Sequence, residues 1–430
     1  MVDEFDPHLS CERVRRADDI RDYVVKEIAL DGEKRNTIQL TTPTKTLDSI
    51  GIQAIVDKKV ATPEFIKNKT TPLIVECPLY VSHPQTWKGI GRMIESSEND
   101  VSSFRKIIGF NTNLNSIRPD VIVPSVVFSK NPFMKRVTSQ GRVYQPFDED
   151  NFETFLQNIY THSKNLLLVP DVKFGKSYNT ELDEYLRIIS KFMDILSERN
   201  KKPIFVPIQP TITKKAITAI LDYYKKNKYS NIWIDYTGST LNEKHQSGVR
   251  MILRALDKAF GDEYVVYHSQ MNKILTTSIE SNEAPSSDML SQFLGADLIG
   301  CYVKPWKYVE EMKEEDILQR GFKSVGQYED VLRKSKARIF NPNTYYYHYP
   351  QTHQDYNKWK LNEHKIMNDN GIINALNTIY KFNEVERVKE ECSASNKISP
   401  YIKKKKLFID NNDIYNNIVG KTTDTSWMDF

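Results

Sequence analysis

Short apolar runs recur along the chain, each closing on a polar residue and each followed by a stretch long enough for a helix. They read PLIVECPLYV from Pro72, DVIVPSVVFS from Asp120, NLLLVPDVKF from Asn165, KPIFVPIQP from Lys202, NIWIDYTGS from Asn231, YVVYHSQMNK from Tyr264 and ADLIGCYVKP from Ala296. A weaker eighth, ARIFNPNTYYYH, starts at Ala337. Continuous apolar runs without alternation suit strands buried on both faces. Strands spaced by helical segments imply βαβ units and a parallel sheet. About eight such units is the number in a (β/α)8 barrel, so the expected fold is α/β, a TIM-like barrel. Such a barrel carries its working residues at the C-terminal ends of its strands. The polar residue that closes each run is therefore a candidate.

The flanks break this beat. Residues 1–70 mix short strands around the turn DGEK with a helix-like spacing from Thr46 to Val60, and are expected to cap the barrel. The barrel itself is expected over 71–348, and a helical, basic extension over 349–430. Leu182, Tyr185, Leu186, Ile189, Phe192, Met193 and Leu196 form an apolar stripe at helical spacing. Thr213 to Tyr224, Gly248 to Phe260 and Asn362 to Tyr380 read the same way, and Asp288 to Leu294 reads as a short helix. The polar segment after the second run brings Lys130, Lys135, Arg136 and Arg142 toward the expected barrel mouth.

Composition narrows the class. The chain has 430 residues, enough for one barrel of roughly 250–300 residues with additions. Hydrophobic residues make up 39% and charged ones 27%, which suits an ordinary globular core and surface. The net charge of +4 permits a local basic surface without demanding nucleic acid. Cys11, Cys77, Cys301 and Cys392 are scattered with no CxxC pair, which argues against a disulfide framework and a cysteine zinc site. The opening residues MVDEFDPHLS lack a secretory pattern, and no apolar run nears the roughly 20 residues of a membrane helix. A cytoplasmic protein with no membrane partner is expected.

The run ends supply the candidate chemistry. Glu76, with His83 beyond it, could act as acid or base, or pair with a cation inside the barrel. Asp171 could accept two hydrogen bonds from a base or sugar, or cap a helix. Gln209, between Pro207 and Pro210, offers both a donor and an acceptor. Asp235 could be a nucleophile or base, or structural. His268, Gln270 and Lys273 end the sixth run, and Lys304 and Trp306 the seventh. There is no GxGxxG, Walker loop or HExxH. No glycine-rich segment follows strands seven and eight, which disfavours a small phosphorylated substrate. His348, His353 and His364 match no common zinc spacing. No metal or cofactor is expected. The tyrosines from Tyr345 to Tyr349 and the lysines Lys403 to Lys406 suit either nucleic-acid contact or an aromatic packing patch beside a solvated tail.

The order of elements resembles the tRNA-guanine transglycosylase superfamily, barrels that exchange a guanine for a 7-deazaguanine. PIFVPIQ is similar to the family strand ending in I-V-Q-G, and LGADLIGCYVKP to the segment that carries the nucleophile. NEHKIMNDNGIINALNTIY resembles the family's C-terminal helix. The resemblance covers about 200 residues, best from Pro203 to Lys304. It implies that Asp171 and Gln209 read the base. It also places a glycine, Gly300, where the nucleophilic aspartate belongs. PSVVFS (Pro124 to Ser129) replaces D-S-G-G-F-Q, and the zinc CxCxxC is not there. The expected function is thus a divergent transglycosylase-like protein, with nucleic acid (tRNA or DNA) as partner and a homo- or hetero-dimer as a possible assembly. Were it an enzyme, it would be a base-exchanging glycosyltransferase with Asp235, then Glu76, as relocated nucleophile. Lys130, Lys135, Arg136, Arg142 and Lys304 would hold the polymer. The rivals are an unrelated small-molecule barrel enzyme using Glu76, Asp171 and Lys304, and a non-catalytic partner subunit.

Overall fold

All seven strong apolar runs form parallel strands. The computed structural model describes residues 9–31, 37–69, 71–81, 86, 89–91, 107–108, 116–133, 137–139, 142–144, 149–173, 178–198, 201–241, 243–273, 283–302, 314–319 and 322–420. In chain order its strands are β1 (Leu9–Arg16), β2 (Val24–Asp31), β3 (Thr37–Thr41), β4 (Thr44–Lys45), β5 (Leu47–Asp48), β6 (Ile74–Val81), β7 (Val121–Phe128), β8 (Val137–Ser139) and β9 (Arg142–Tyr144). There follow β10 (Leu167–Leu168), β11 (Asp171–Val172), β12 (Ile204–Ile208), β13 (Ile232–Asp235), β14 (Val266–Ser269), β15 (Glu283–Pro285), β16 (Leu298–Ile299), β17 (Ile339–Asn341) and β18 (Tyr346–His348). One curled parallel sheet has six strands in the order β10-β12-β13-β14-β16-β4, and a second has four in the order β11-β7-β6-β5. Every residue of β13 and β14 is buried, as strands covered on both faces require.

Two expectations are corrected. The run from Ala337 is not a parallel strand. Its β17 pairs antiparallel with β18, in a separate sheet that also holds β15. Ile339, Phe340, Tyr345 and Tyr347 are apolar because they pack there. The parallel ladder instead takes in Thr44 to Asp48, expected to lie in the cap. Lys45 pairs with Ile299 of β16, and Asp48 with Glu76 of β6. This strand hides from an apolar-run reading because Thr44, Lys45, Thr46 and Asp48 are polar yet buried.

The antiparallel sheet β1-β2-β3 covers the N-terminal end of the parallel strands. Its Leu9, Ile28, Leu30 and Leu40 share one apolar cluster with Ile74, Val121, Phe205, Trp233, Tyr267 and Leu298. A buried ion pair fastens it: Lys26 Nζ lies 2.9 Å from Asp297 Oδ2. That aspartate also accepts from Val266 N at 2.8 Å.

The amphipathic stripes become helices Tyr178–Ser197, Lys214–Lys226 and Glu243–Phe260, which bury Phe192, Ile217 and Ile252 against the sheets. Thr213 caps the second of these through Ala216 N. The helix expected from Asn362 is broken at Asp369. Its carboxylate accepts from Gly371 N and Ile372 N and starts a new helix, Asn370–Ser395. That helix carries on to Asn396, whose left-handed φ of 56° ends it. Among the described residues, no helix is long and apolar enough to cross a membrane.

Candidate active site

Three polar residues at successive strand ends are in direct contact. Asp171 opens β11, just past Pro170, where the chain passes from pairing with β12 to pairing with β7. Its carboxylate is fully buried. Oδ1 accepts from Val172 N at 2.8 Å and from the Tyr185 hydroxyl at 3.0 Å. Oδ2 accepts from Gln209 Nε2 at 2.8 Å, and the same amide donates to Val172 O at 2.9 Å. The two expected base readers are therefore bonded to each other.

Asp235 ends β13 and is equally buried. Its Oδ1 accepts from Thr237 N at 2.7 Å, which folds the chain into a turn with left-handed φ values at Thr237 (49°) and Gly238 (80°). Its Oδ2 is buried and meets no donor among the described residues. The group it engages is the Asp171 carboxyl. Two adjacent buried carboxyls cannot both ionise, so they share a proton and titrate as a pair. Burial, and then the Asp171 charge, hold Asp235 well above the usual carboxylate range. Burial raises Asp171 too, but Asp235, Gln209, Tyr185 and Val172 all oppose it. Of the two, Asp235 is the more strongly raised and the member favoured to hold the shared proton. A carboxyl that holds a proton is a poor nucleophile and a ready acid, which bears on the nucleophile or base role expected of Asp235.

Glu76 does not close its strand. It is the third residue of β6 and lies inside the curl, fully buried. Four donors converge on it. The Ser125 hydroxyl reaches Oε1 at 2.6 Å. Oε2 accepts from Cys301 N at 2.6 Å, Tyr267 OH at 2.7 Å and Thr46 Oγ1 at 3.2 Å. Burial raises its pKa against those hydrogen bonds and the nearby Lys45 ammonium. With three donors on Oε2 and one on Oε1, this carboxylate organises the interior. It also explains Gly300. A Cβ at that position would run into Ser269 Cβ and lie 2.5 Å from Glu76 Oε2. The space a side chain at Gly300 would need is filled by Ser269 and the Glu76 carboxylate. Gly300→Ala is accordingly expected to cost about 2–3 kcal/mol by overpacking, measured by urea unfolding. A loss below about 0.5 kcal/mol would mean that the strand ends give way easily.

The remaining candidates scatter. Lys130 is exposed just past β7, and Arg142 opens β9. His83, Lys135, Arg136, Lys304 and Trp306 lie outside the described residues. The lysine run is not a uniform basic surface. Lys405 turns inward to Tyr401 OH at 2.7 Å and Pro342 O at 2.8 Å, and Lys406 pairs with Glu283. Tyr345 and Tyr347 are fully buried against Phe340, so these rings have no face left for stacking on bases. His348 bonds Thr344 Oγ1 at 2.8 Å, and His353 bonds Phe340 O at 3.1 Å.

Several site residues escaped the sequence reading. Tyr80 stands two and four residues past Pro78 and Glu76, so all three share one strand face. Burial, then the negative charge of the acid pair, pushes its phenol up to about 12. Strand alternation applied to β6 would have found it. Tyr185 was read only as part of a helix stripe, and nothing in the sequence announces its hydrogen bond to Asp171.

No family model matches this sequence, and no curated protein matches it. Among solved structures, DHODH from Eimeria tenella, solved in complex with ferulenol, superposes with a TM-score of 0.26 at 14% identity, covering 51% of this chain and 57% of that one. The carboxyl transferase domain of Rhizobium etli pyruvate carboxylase, solved with pyruvate and biocytin, gives a TM-score of 0.29 at 11% identity, covering 98% of this chain. The chain spans 57% and 66% of the lengths of these two proteins. Likeness at this level assigns no activity.

Proposed function

We propose that the two parallel sheets are one closed (β/α)8 barrel and that the Asp171–Asp235 pair is its acid–base centre, acting on a base–sugar bond. The barrel reading is supported by the strand breaks. Only Thr46 separates β4 from β5, and only Val169 and Pro170 separate β10 from β11. Each pair then counts as one strand shared between the two ladders, and the strand order returns to its start. Asp171, Gln209 and Asp235 come to stand on consecutive strands at the C-terminal mouth, where such barrels do their chemistry.

The functional reading rests on the shared proton. Asp235 donates it to the departing base nitrogen as the C1′–N bond breaks, and the bond's electron pair stays on that nitrogen. The incoming base nitrogen forms the new bond to C1′ and returns its N–H proton to Asp235. Asp171 and Gln209 would exchange their mutual hydrogen bond for the edge of a guanine-like ring, supplying an acceptor and an amide. This keeps the exchange chemistry of the tRNA-guanine transglycosylases without their carboxylate nucleophile, with tRNA or DNA as the carrier. Full burial of the pair means that a base would have to leave its stack to reach it. The same burial favours the rival reading, a small-molecule substrate.

The test is incorporation of labelled guanine into bulk tRNA and into duplex DNA. Label should enter one polymer, and Asp235→Asn should slow entry by about 10²–10⁴-fold. No incorporation into either polymer, with no binding of either at low salt, would discard the base-exchange reading and leave the small-molecule one.

A further inference from the structure

On the outer face of the strand wall, away from the acid pair, lies a cavity of about 30 Å³. Strand alternation places it there: Tyr267 turns inward to Glu76, and the next residue, His268, lines the cavity. Lys45 from β4, Lys273 after β14 and Lys381 from the helix Asn370–Ser395 all border it, against the two carboxylates Asp48 and Asp288.

Both carboxylates are already engaged. Asp48 Oδ1 caps the helix Ser49–Val56 through Ile50 N at 2.7 Å and Gly51 N at 3.2 Å. Asp288 takes the Tyr347 hydroxyl at 2.8 Å and Lys381 Nζ at 2.5 Å. Two of the three ammoniums are less well served. Lys45 is saturated by Thr46 O, Ile299 O and Gly300 O, at 3.2, 3.0 and 2.6 Å, and contributes charge alone. Lys381 spends one N–H on Asp288. Among the described residues Lys273 has only Asn374 Oδ1, at 3.5 Å. His268 Nε2 is buried without a partner among them. Its Nδ1 lies 3.1 Å from the Tyr236 hydroxyl, and where that hydroxyl donates, Nε2 carries the proton as a further free donor.

We propose that this cavity binds a small oxyanion, a phosphate group, through Lys273 and Lys381 with the Lys45 charge behind them. Three ammoniums border the cavity against two carboxylates, an excess of positive charge that suits an acceptor-only ligand. Burial, with Lys273 and Lys45 adding to it, holds the Lys381 ammonium down to about 8 in spite of Asp288. An anion would relieve that crowding. No glycine-rich loop takes part. The site is assembled from residues more than 300 positions apart, which is why the sequence disfavoured a phosphorylated ligand.

Thermal unfolding and calorimetric titration of the full chain with inorganic phosphate, at ionic strength fixed with chloride, decide the matter. Phosphate should raise the wild-type Tm saturably above the chloride control. Lys273→Met should bind about tenfold more weakly, the loss of one charge-assisted hydrogen bond. Lys273→Arg, which keeps the charge, should retain binding and so separate charge from damage to the fold. Equal binding of methyl phosphate would mark the natural ligand as a phosphomonoester, and binding of inorganic phosphate alone would mark the free ion. A non-saturating rise that is the same in wild type and Lys273→Met, as excluded kosmotropes produce, would overturn the site, as would no rise at all.

Discussion

Glu76→Ala is expected to destabilise the protein by about 3–5 kcal/mol. The substitution removes the acceptor of the Ser125, Tyr267 and Thr46 hydroxyls and of the Cys301 backbone N–H. The hydroxyls can rotate toward other acceptors, but the backbone N–H cannot. An orphaned buried donor costs about 1–3 kcal/mol by itself. The truncation also opens a cavity in the interior and takes the Glu76 charge away from the Lys45 ammonium.

Glu76→Gln should cost much less. Its amide oxygen can take the place of Oε2, where three of the four donors converge. Its NH2 then faces Ser125 Oγ, which can turn from donor to acceptor. Urea unfolding of the two variants gives the ranking. An alanine cost under about 1 kcal/mol, or equal costs for the two variants, would show that the four-donor cluster does not hold the interior together. Such a result would also undercut the explanation of Gly300, because a dispensable carboxylate would not be a fixed occupant of that space.

How much of this was legible in the sequence divides along the line between apolar and polar burial. The seven strong runs announced their strands because β-branched and aliphatic residues hidden on both faces leave a continuous signal. Thr44 to Asp48 left none, since a buried strand of threonine, lysine and aspartate reads like a loop. Ala337 to Asn341 gave the opposite error, as an apolar run states that a segment is buried but not which sheet buries it. Asp171, Gln209 and Asp235 were found individually because each directly ends, or immediately follows, a run. Their mutual contact was not, because it depends on the register of neighbouring strands. Glu76 was misplaced by reading an acidic residue as a strand end when the strand carries on for another five residues. Of the lysines around the outer cavity, Lys273 was found at the end of the sixth run, but Lys45 and Lys381 were out of reach, since they meet only when the final long helix packs against β4 and β5.

Asp235→Asn is expected to slow any activity of the acid pair by about 10²–10⁴-fold while leaving the fold as stable as wild type, or more stable, at neutral pH. An asparagine amide can donate to Asp171 as the protonated carboxyl does, without a titrating proton to hold. The sign of the pH effect follows from linkage. The folded pKa of Asp235 is raised above its ordinary value of 3.8, so the folded state binds more protons than the unfolded one. That contribution to stability is fully present below the unfolded pKa and drains away as pH rises toward the folded value. Within that window the Asp235 contribution falls by about tenfold in the folding constant per pH unit. Asp235→Asn removes this slope, so the variant should gain on wild type with each step upward in pH. Glu76 and Glu384, also raised, are common to both proteins and cancel in the difference, whereas Asp171 is coupled to Asp235, so the difference reports the pair. Urea unfolding of both proteins from about pH 5 to pH 8 measures it directly. A flat difference would show that no proton is held between the two carboxyls. A difference of the opposite sign would make Asp235 the ionised member and restore it as a candidate nucleophile. In either case the acid would have to be sought elsewhere at the strand ends, and Tyr80, its phenol pushed up to about 12 beside the same two carboxyls, is the next group in place to give up a proton.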